Sequence, residues 1–528
     1  MQIVENKALQ FVTRKAEQIA ALIPKSKILE RNGPLAKVLV HWGHEEWQLL
    51  RNLGLKNPPH PILGRYKWPG IYTPFDHQLS TAAFLAANSR CYCLSEPGTG
   101  KTNAAAWAAD YLLTKKLVKR VLVVCPVSIM DTAWRADLFR TLMHRSVGIA
   151  SGTKRQREAV IAADYEFVII NFDGVKVVHQ ALMAGGFDLV IIDEATSVKN
   201  AQTERWKALN SLCKPGVRVW AMTGTPAAQS PLDAYGLAKL VRPDSVPRSY
   251  GMWRDRVMIK ITQFKWVPHT NAKAMVHEVL QPAIRYTKEE CLDLPDLLYA
   301  TRELELSPQQ KKYYEQVKTH MVALAAGEEI TAANAATLIN KLAQIAQGAV
   351  YTDTGEVIQF DIKDRLAELV DIIESTNNKV LVFVPYRHVT AMLRDALDNL
   401  VVRLIGADPN SYAVEVIDGG VPATQRADII KRFQTEDRVK VLLLSPQATA
   451  HGITLTRADN IVWWGPITST EVYLQANSRA HRAGQTNKVT VTHLQGSPVE
   501  RRMYAALQGK VNAHMDLVEL YKQEIDNV

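Results

Sequence analysis

The sequence predicts an α/β protein with two parallel-sheet lobes, a helical insert between them and a small N-terminal accessory region. Three observations carry that expectation. Short apolar runs ending in turn residues or polar clusters alternate with helical patterns over 72–242. A predominantly helical stretch follows, over 243–365. The alternation then resumes over 366–510. Strands buried on both faces read as continuous apolar runs, and helices between them make the sheet parallel. Two such stretches around an insert make two lobes rather than one large domain.

Taken in order, residues 1–71 are a basic region with a helical stretch from Asn6 to Leu22, an apolar run AKVLVHW and a helix HEEWQLLRNLGL. Pro58, Pro59, Pro61, Pro69 and Pro74 mark an extended connector. The strands of the first lobe are CYCLSEP, VLVVCP, FVIINF, LVIIDE and VWAMTGTP. Their polar ends should gather at the carboxyl edge of one sheet, where α/β proteins bind ligands. The insert carries PQQKKYYEQVKTHMVALAAG and AANAATLINKLAQIAQGAV as helices. KVLVFVP, KVLLLSP, NIVWWGP and KVTVTHL are the strands of the second lobe, and 511–528 is a closing helix.

Composition narrows the class. The chain has 528 residues, 47% of them hydrophobic and 22% charged, which suits packed domains and excludes a disordered or fibrous chain. No apolar run approaches the length of a membrane span, and MQIVENKALQ lacks a signal-peptide pattern. Five cysteines cannot staple a chain this long, so a reducing, cytoplasmic location is expected. His41 and His44 lie three apart without a further ligand cluster, and packing or solvation is the simpler reading. Lys and Arg number 63 against 53 Asp and Glu, a net charge of +10 that suits a polyanionic partner.

The chemistry concentrates in three places. SEPGTGKT (95–102) follows a strand and opens a helix, the setting of a phosphate loop. Its glycine-rich turn directs backbone N–H groups inward, Lys101 would reach the β- and γ-phosphates, and the Thr102 hydroxyl would ligate Mg²⁺. Ser95 stands where the pattern asks for glycine. LVIIDEAT (189–196) ends a strand in two acids: Asp193 would hold Mg²⁺, and Glu194 would orient and deprotonate the attacking water. QANSRAHRAGQ (475–485) places Arg479 and Arg482 three apart, on one face of a helix. Such a pair is usually surface charge; near the end of a second α/β unit it suggests arginine fingers reaching across a cleft to the transferring phosphate.

These segments resemble, in order, the motifs of the Swi/Snf-type ATPases of helicase superfamily two, in a compact bacterial or phage-like form. PFDHQ (74–78) is similar to the motif whose glutamine, Gln78 here, reads adenine, and SEPGTGKT to motif I. CPVSIMDTAW (125–134), DEATSVKN (193–200) and TGTPAAQSPLDAYGLAKLVRPD (223–244) resemble motifs Ia, II and III. LVFVPYRH (381–388), SPQATAHGITLTRAD (445–459) and QANSRAHRAGQ resemble motifs IV, V and VI, while RYTKEECLDLP and LSPQQKKYYE resemble the helical protrusion. Ser478, Thr196 and His451 depart from the family's usual residues, and Thr468 stands where a tryptophan is frequent. None of these removes a group that hydrolysis needs.

The resemblance implies RecA-like lobes and a DNA-dependent ATPase using ATP and Mg²⁺. Nucleotide contacts would come from Gln78, Glu96, Pro97, Gly98, Thr99, Gly100, Lys101, Thr102 and Gly452. Thr223, Gly224, Thr225, Pro226 and Gln475 would couple hydrolysis to movement. DNA would be gripped mostly by its phosphates, at Pro126, Ser128, Asn171, Tyr386, His388, Ser445 and Gln447. The basic first 65 residues are either a solvated face or an accessory DNA contact. The implied activity is translocation on, or remodelling of, double-stranded or branched DNA, in replication, recombination or repair. The alternatives are a strand-separating helicase and a nucleotide-gated scaffold without turnover. No bromodomain-like or chromodomain-like segment stands in the sequence, which points away from nucleosome remodelling.

Overall fold

The computed structural model describes residues 1–224, 226–227, 230–261, 266–291, 294–325, 332–352, 354–404, 413–449 and 453–509. Thr225, Gly452 and the expected helix over 511–528 lie outside the described residues. Two compact units result: 1–227 with 231–291, and a second that begins after Cys291.

The first unit opens with a four-stranded antiparallel sheet, ordered Gln2–Val4, Ala8–Thr13, Leu35–His41, Ser26–Asn32. The helix expected from Asn6 to Leu22 is therefore shorter, spanning only Ala16–Leu22. Ahead of it, Leu9 and Phe11 are buried while Gln10 and Val12 are not, a period of two that belongs to a strand. The expected helix after AKVLVHW forms over His44–Asn52. Trp42 and Trp47 donate their indole N–H groups to the carbonyls of Pro59 and Pro58, at 2.7 and 2.9 Å. Proline cannot donate but can accept, so the connector is fastened through its carbonyls.

The main sheet of this unit has seven parallel strands, ordered Ala283–Ile284, Arg90–Cys93, Arg218–Met222, Leu189–Asp193, Val121–Cys125, Phe167–Asn171, Val147–Ala150. Successive residues face opposite layers of core: Cys91 and Cys93 pack on one side, Tyr92 on the other. Register aligns the carboxyl ends, with Met222 beside both Cys93 and Asp193, and Cys125 beside Asn171.

The second unit holds six parallel strands, ordered Leu297–Glu303, Val489–Gln495, Ala458–Trp463, Lys379–Phe383, Val439–Leu444, Ala413–Ile417. Trp463 and Trp464 are fully buried, one in each layer of its core. Both are packing residues. The stretch 243–365 is not one helical body. Ala283–Ile284 is an edge strand of the first sheet and Leu297–Glu303 an edge strand of the second. RYTKEE thus follows the first of these strands and enters the short helix Lys288–Cys291, while the helices Pro308–Ala325 and Ala332–Gln347 form as expected. Among the described residues, no helix is long and apolar enough to cross a membrane.

Candidate functional site

The phosphate loop connects the strand Arg90–Cys93 to the helix Lys101–Thr114. Gly98 and Gly100 take φ of 93° and 78°, a left-handed backbone that glycine adopts without penalty. Gly100 is constrained twice, because a Cβ there would lie 1.9 Å from Gln78 Nε2. Lys101 Nζ donates to the carbonyls of Ser95 and Glu96 at 2.8 and 3.1 Å, which holds the ammonium over the loop. Thr99 Oγ1 donates to Glu96 O at 2.9 Å. Thr102 lies in the first turn of the helix and is partly exposed.

Gln78 is buried; its amide donates to Thr99 O at 3.4 Å, and its Oε1 accepts from Phe75 N at 3.1 Å. His77 bonds the same Thr99 carbonyl through Nε2 at 2.8 Å, a contact that the sequence did not single out. Ser95 has a structural reason. Its hydroxyl accepts from Tyr286 N at 3.1 Å, and Glu96 N donates to Tyr286 O at 3.0 Å. The edge strand Ala283–Ile284 and the residues after it thereby lace onto the loop, where glycine would have no acceptor to offer.

Asp193 ends its strand beside Met222, one strand away from Cys93. Its carboxylate is buried, and each oxygen accepts one neutral donor: Oδ2 from the Trp134 indole at 2.8 Å, Oδ1 from Glu194 N at 3.0 Å. Burial, then the neighbouring Glu194 charge, pushes the Asp193 carboxyl up to about 6, against the opposing pull of Lys101 and the two hydrogen bonds. Glu194 itself has φ 50° and ψ 52°, a left-handed conformation costing a non-glycine residue about 1–3 kcal/mol. Strain of that kind is kept where it aims a side chain. Trp134 is fully buried in a π-helical turn, Met130–Arg135, a distortion frequent at functional sites. Sequence spacing gave no sign of its bond to an acid 59 residues away. The donor set fits Mg²⁺: an acidic carboxylate with a lone pair left on each oxygen, and a hydroxyl at a helix N-terminus, both hard oxygen ligands.

Gly224, next along from the strand Arg218–Met222, packs on the loop, since a Cβ there would lie 2.7 Å from Pro97 Cδ. Thr223 N donates to Cys93 O at 3.0 Å. Thr223 and Gly224 are thus fastened to the phosphate-loop strand and to the loop itself.

In the second unit, Arg479 and Arg482 do not share a helix face. The helix Thr470–Asn477 ends first, and both arginines lie in the turn beyond it. They converge differently: Arg479 Nη1 and Arg482 Nη1 both donate to Ile453 O, at 3.4 and 3.2 Å. Gln485, which the sequence reading passed over, organises that turn. Its amide donates to Thr456 O, Ala458 O and Ala480 O, and its Oε1 accepts from Thr486 N and Asn487 N. Gln475 is buried one turn earlier, with Nε2 3.4 Å from Glu471 Oε1.

The candidate DNA contacts divide. Pro126, Ser128, Ser445 and Gln447 stand at carboxyl ends of strands with partly or fully exposed surfaces. Tyr386 is half-buried, its hydroxyl 3.5 Å from Asn340 Oδ1. His388 and Asn171 are not placed to meet a phosphate. His388 is buried, bonded through Nε2 to Ala349 O at 3.0 Å and packed on Tyr351. Asn171 is buried and accepts from Arg157 at 2.8 Å.

A model of the SNF2-related domain matches residues 36–349, and one of the helicase conserved C-terminal domain matches 363–484. The chain belongs to the SNF2 family of helicase superfamily two. Among SNF2-family relatives, it is 28% identical over 432 residues to the Xenopus laevis SWI/SNF-related matrix-associated actin-dependent regulator of chromatin subfamily A-like protein 1, covering 78% of this chain and 40% of that one. The putative ATP-dependent helicase/translocase YwqA of Bacillus subtilis is 23% identical over 504 residues, covering 89% of this chain and 52% of that protein. This SNF2-family chain thus spans about half or less of the length of these curated relatives. A solved Sulfolobus solfataricus SWI2/SNF2 ATPase core in complex with dsDNA aligns with 87% of this chain and 98% of that one, at 19% identity and a TM-score of 0.41.

Proposed function

We propose that this SNF2-family chain hydrolyses ATP and uses the cycle to translocate on DNA, remodelling double-stranded or branched DNA in replication, recombination or repair in the cytosol of a bacterium or of an infected host cell. The observation that carries the reading is the shared edge of the first sheet. There the phosphate-loop strand, the strand leading to Gly224 and the Asp193 strand end in register. Lys101 and the loop amides bind the nucleotide's phosphates, and Thr102 and Asp193 supply the oxygen ligands for Mg²⁺. A bound Mg²⁺ supplies charge neutralisation at the β- and γ-phosphate oxygens. Glu194, aimed by its strained backbone, orients the attacking water and takes its proton. Gln78, already on the loop, presents its amide to the base. Arg479 and Arg482 contribute positive charge during hydrolysis. Thr223, Gly224 and Pro226 transmit the state of the loop, through Pro97, to the rest of the first unit.

The net charge of +10 supports a phosphate-dominated DNA contact, with Pro126, Ser128, Ser445 and Gln447 as the foremost candidates. His388 and Asn171 support such loops from within. The test compares ATP turnover without nucleic acid and with single-stranded, duplex and forked DNA. Strong stimulation by duplex or forked DNA, falling steeply with salt, is expected. Turnover indifferent to every DNA form would overturn the coupling.

A further inference from the structure

We propose that the second unit carries a phosphate-binding site of its own, in a polar cavity of about 300 Å³ where three adjacent parallel strands begin. Val439–Leu444, Lys379–Phe383 and Ala458–Trp463 lie side by side in that sheet. Lys379 starts the middle strand, Lys440 stands second in one neighbour, and Arg457 immediately precedes the other. Register brings the three cations together, because Val380 pairs with Val441 and Lys379 with Ala458. All three line the cavity. Lys440 is partly exposed and the Arg457 side chain is 55% exposed, so an anion entering from solvent meets both.

Like charges on neighbouring strands destabilise a sheet, and little in the protein relieves these. Among the described residues, neither lysine pairs with a carboxylate. Lys379, 5% exposed, bonds through Nζ to Glu436 O at 2.5 Å, over the ring of Phe433. Burial, then the charge of Arg457, lowers its ammonium below the usual value, the mark of a cation short of negative charge. The one acid of the lining, Asp437, is 90% exposed and pairs with Arg457 at 2.8 Å. Two further carboxylates are spent elsewhere. Glu436 pairs with Arg438 at 2.8 Å, and Asp459 accepts from Asn378 Nδ2 and Asn487 Nδ2, at 2.5 and 3.4 Å. An oxyanion supplies the missing charge. The guanidinium fork suits a phosphate's paired oxygens, and the hydroxyls of Thr456 and Thr486 add donors. No aromatic ring lines the cavity, so it selects a phosphate rather than a base. Gly484 and Thr486, also in the lining, flank Gln485, whose amide fastens the arginine turn. A phosphate held here braces that turn.

The phosphate belongs either to a free ligand or to a nucleic-acid backbone, and lysine footprinting separates these sources. The full chain is treated with acetic anhydride, and acetylation of Lys440 is read by peptide mass spectrometry. The arms are no addition, inorganic pyrophosphate, a short DNA duplex, and chloride at matched ionic strength. Lys440 is expected to be protected. Protection by pyrophosphate identifies a free phosphorylated ligand; protection by the duplex alone identifies the backbone. Arg457→Ala, a change at an exposed side chain, should raise the concentration that protects Lys440 about tenfold, the effect of losing one charge-assisted hydrogen bond. Lys440 protection that chloride reproduces, that Arg457→Ala leaves unchanged, or that neither ligand produces would overturn the site. Lys101, read in the same spectra, reports the phosphate loop separately, so protection confined to Lys101 would overturn this site and leave the hydrolysis reading untouched.

Discussion

The two parallel sheets share one design and carry opposite chemistry at opposite ends of their strands. In the first, an acid is buried at a strand end and held by two neutral donors, Trp134 and the Glu194 amide. In the second, two arginines gather on the carbonyl of Ile453, in a turn that Gln485 ties to Ala458, the amino end of its strand. The second unit also owns a buried acid, Glu500, but spends it inside the core. There it pairs with Arg365 at 2.6 Å and accepts from Gly496 N, Ser497 N and Ser497 Oγ. An acid held only by neutral donors keeps its affinity for a cation. An acid paired with arginine and saturated by N–H groups has none left to offer. On the function proposed above, the acid of the first sheet would help hold the nucleotide's metal, and the arginines of the second would supply positive charge.

The strongest way to break this contrast is to remove the structural acid. Glu500→Ala leaves Arg365 buried at 5% exposure without its carboxylate, and should cost about 3–5 kcal/mol. Urea denaturation monitored by tryptophan fluorescence checks this. A loss under about 1 kcal/mol would mean that the pair is no more than a surface contact in energy.

A smaller effect sharpens the account of the functional acid. The Asp193 carboxyl lies above its ordinary value, so between about 4 and 6 the folded state holds a proton that the unfolded chain has released. Stability from this group accordingly falls as pH rises through that window, while its readiness to take a metal rises. Turnover at limiting Mg²⁺ should decline as pH drops through about 6. Trp134→Phe removes a donor that favours the charged carboxylate. It should move that acidic limb up by about half to one pH unit. A pH profile of turnover reads it, and an unmoved limb would assign Trp134 to packing alone.

The central strands were legible because burial on both faces makes them continuous apolar runs, as in FVIIN and KVLVF. Every central strand of both sheets announced itself in this way. Four strands did not: Val147–Ala150, Ala283–Ile284, Leu297–Glu303 and Ala413–Ile417. Each lies at a sheet edge, half in solvent, and Leu297–Glu303 has no buried residue at all. Edge strands carry no long apolar signature. The phosphate loop and the Asp193–Glu194 pair were also legible, since their chemistry is local in sequence. Trp134, His77 and the Ser95–Tyr286 lacing were not, because each acts across 22 to 191 residues of chain, through contacts that only the fold creates. The arginine turn misled for another reason: spacing of three fits a helix, but the helix stops at Asn477.

The proposed contrast between a nucleotide-binding strand edge and a charge-donating arginine turn is tested most directly by measuring ATP affinity and DNA-stimulated turnover together in Lys101→Ala, Glu194→Gln and Arg482→Ala. Lys101→Ala should lose affinity. Glu194→Gln should bind ATP as the parent does and turn over at least about 10²-fold more slowly. Arg482→Ala should also keep its affinity, while turnover falls by roughly 10³-fold. Wild-type turnover in Arg482→Ala, or a loss of ATP affinity there as large as that of Lys101→Ala, would contradict the proposed division of labour between the phosphate-loop edge and the arginine turn.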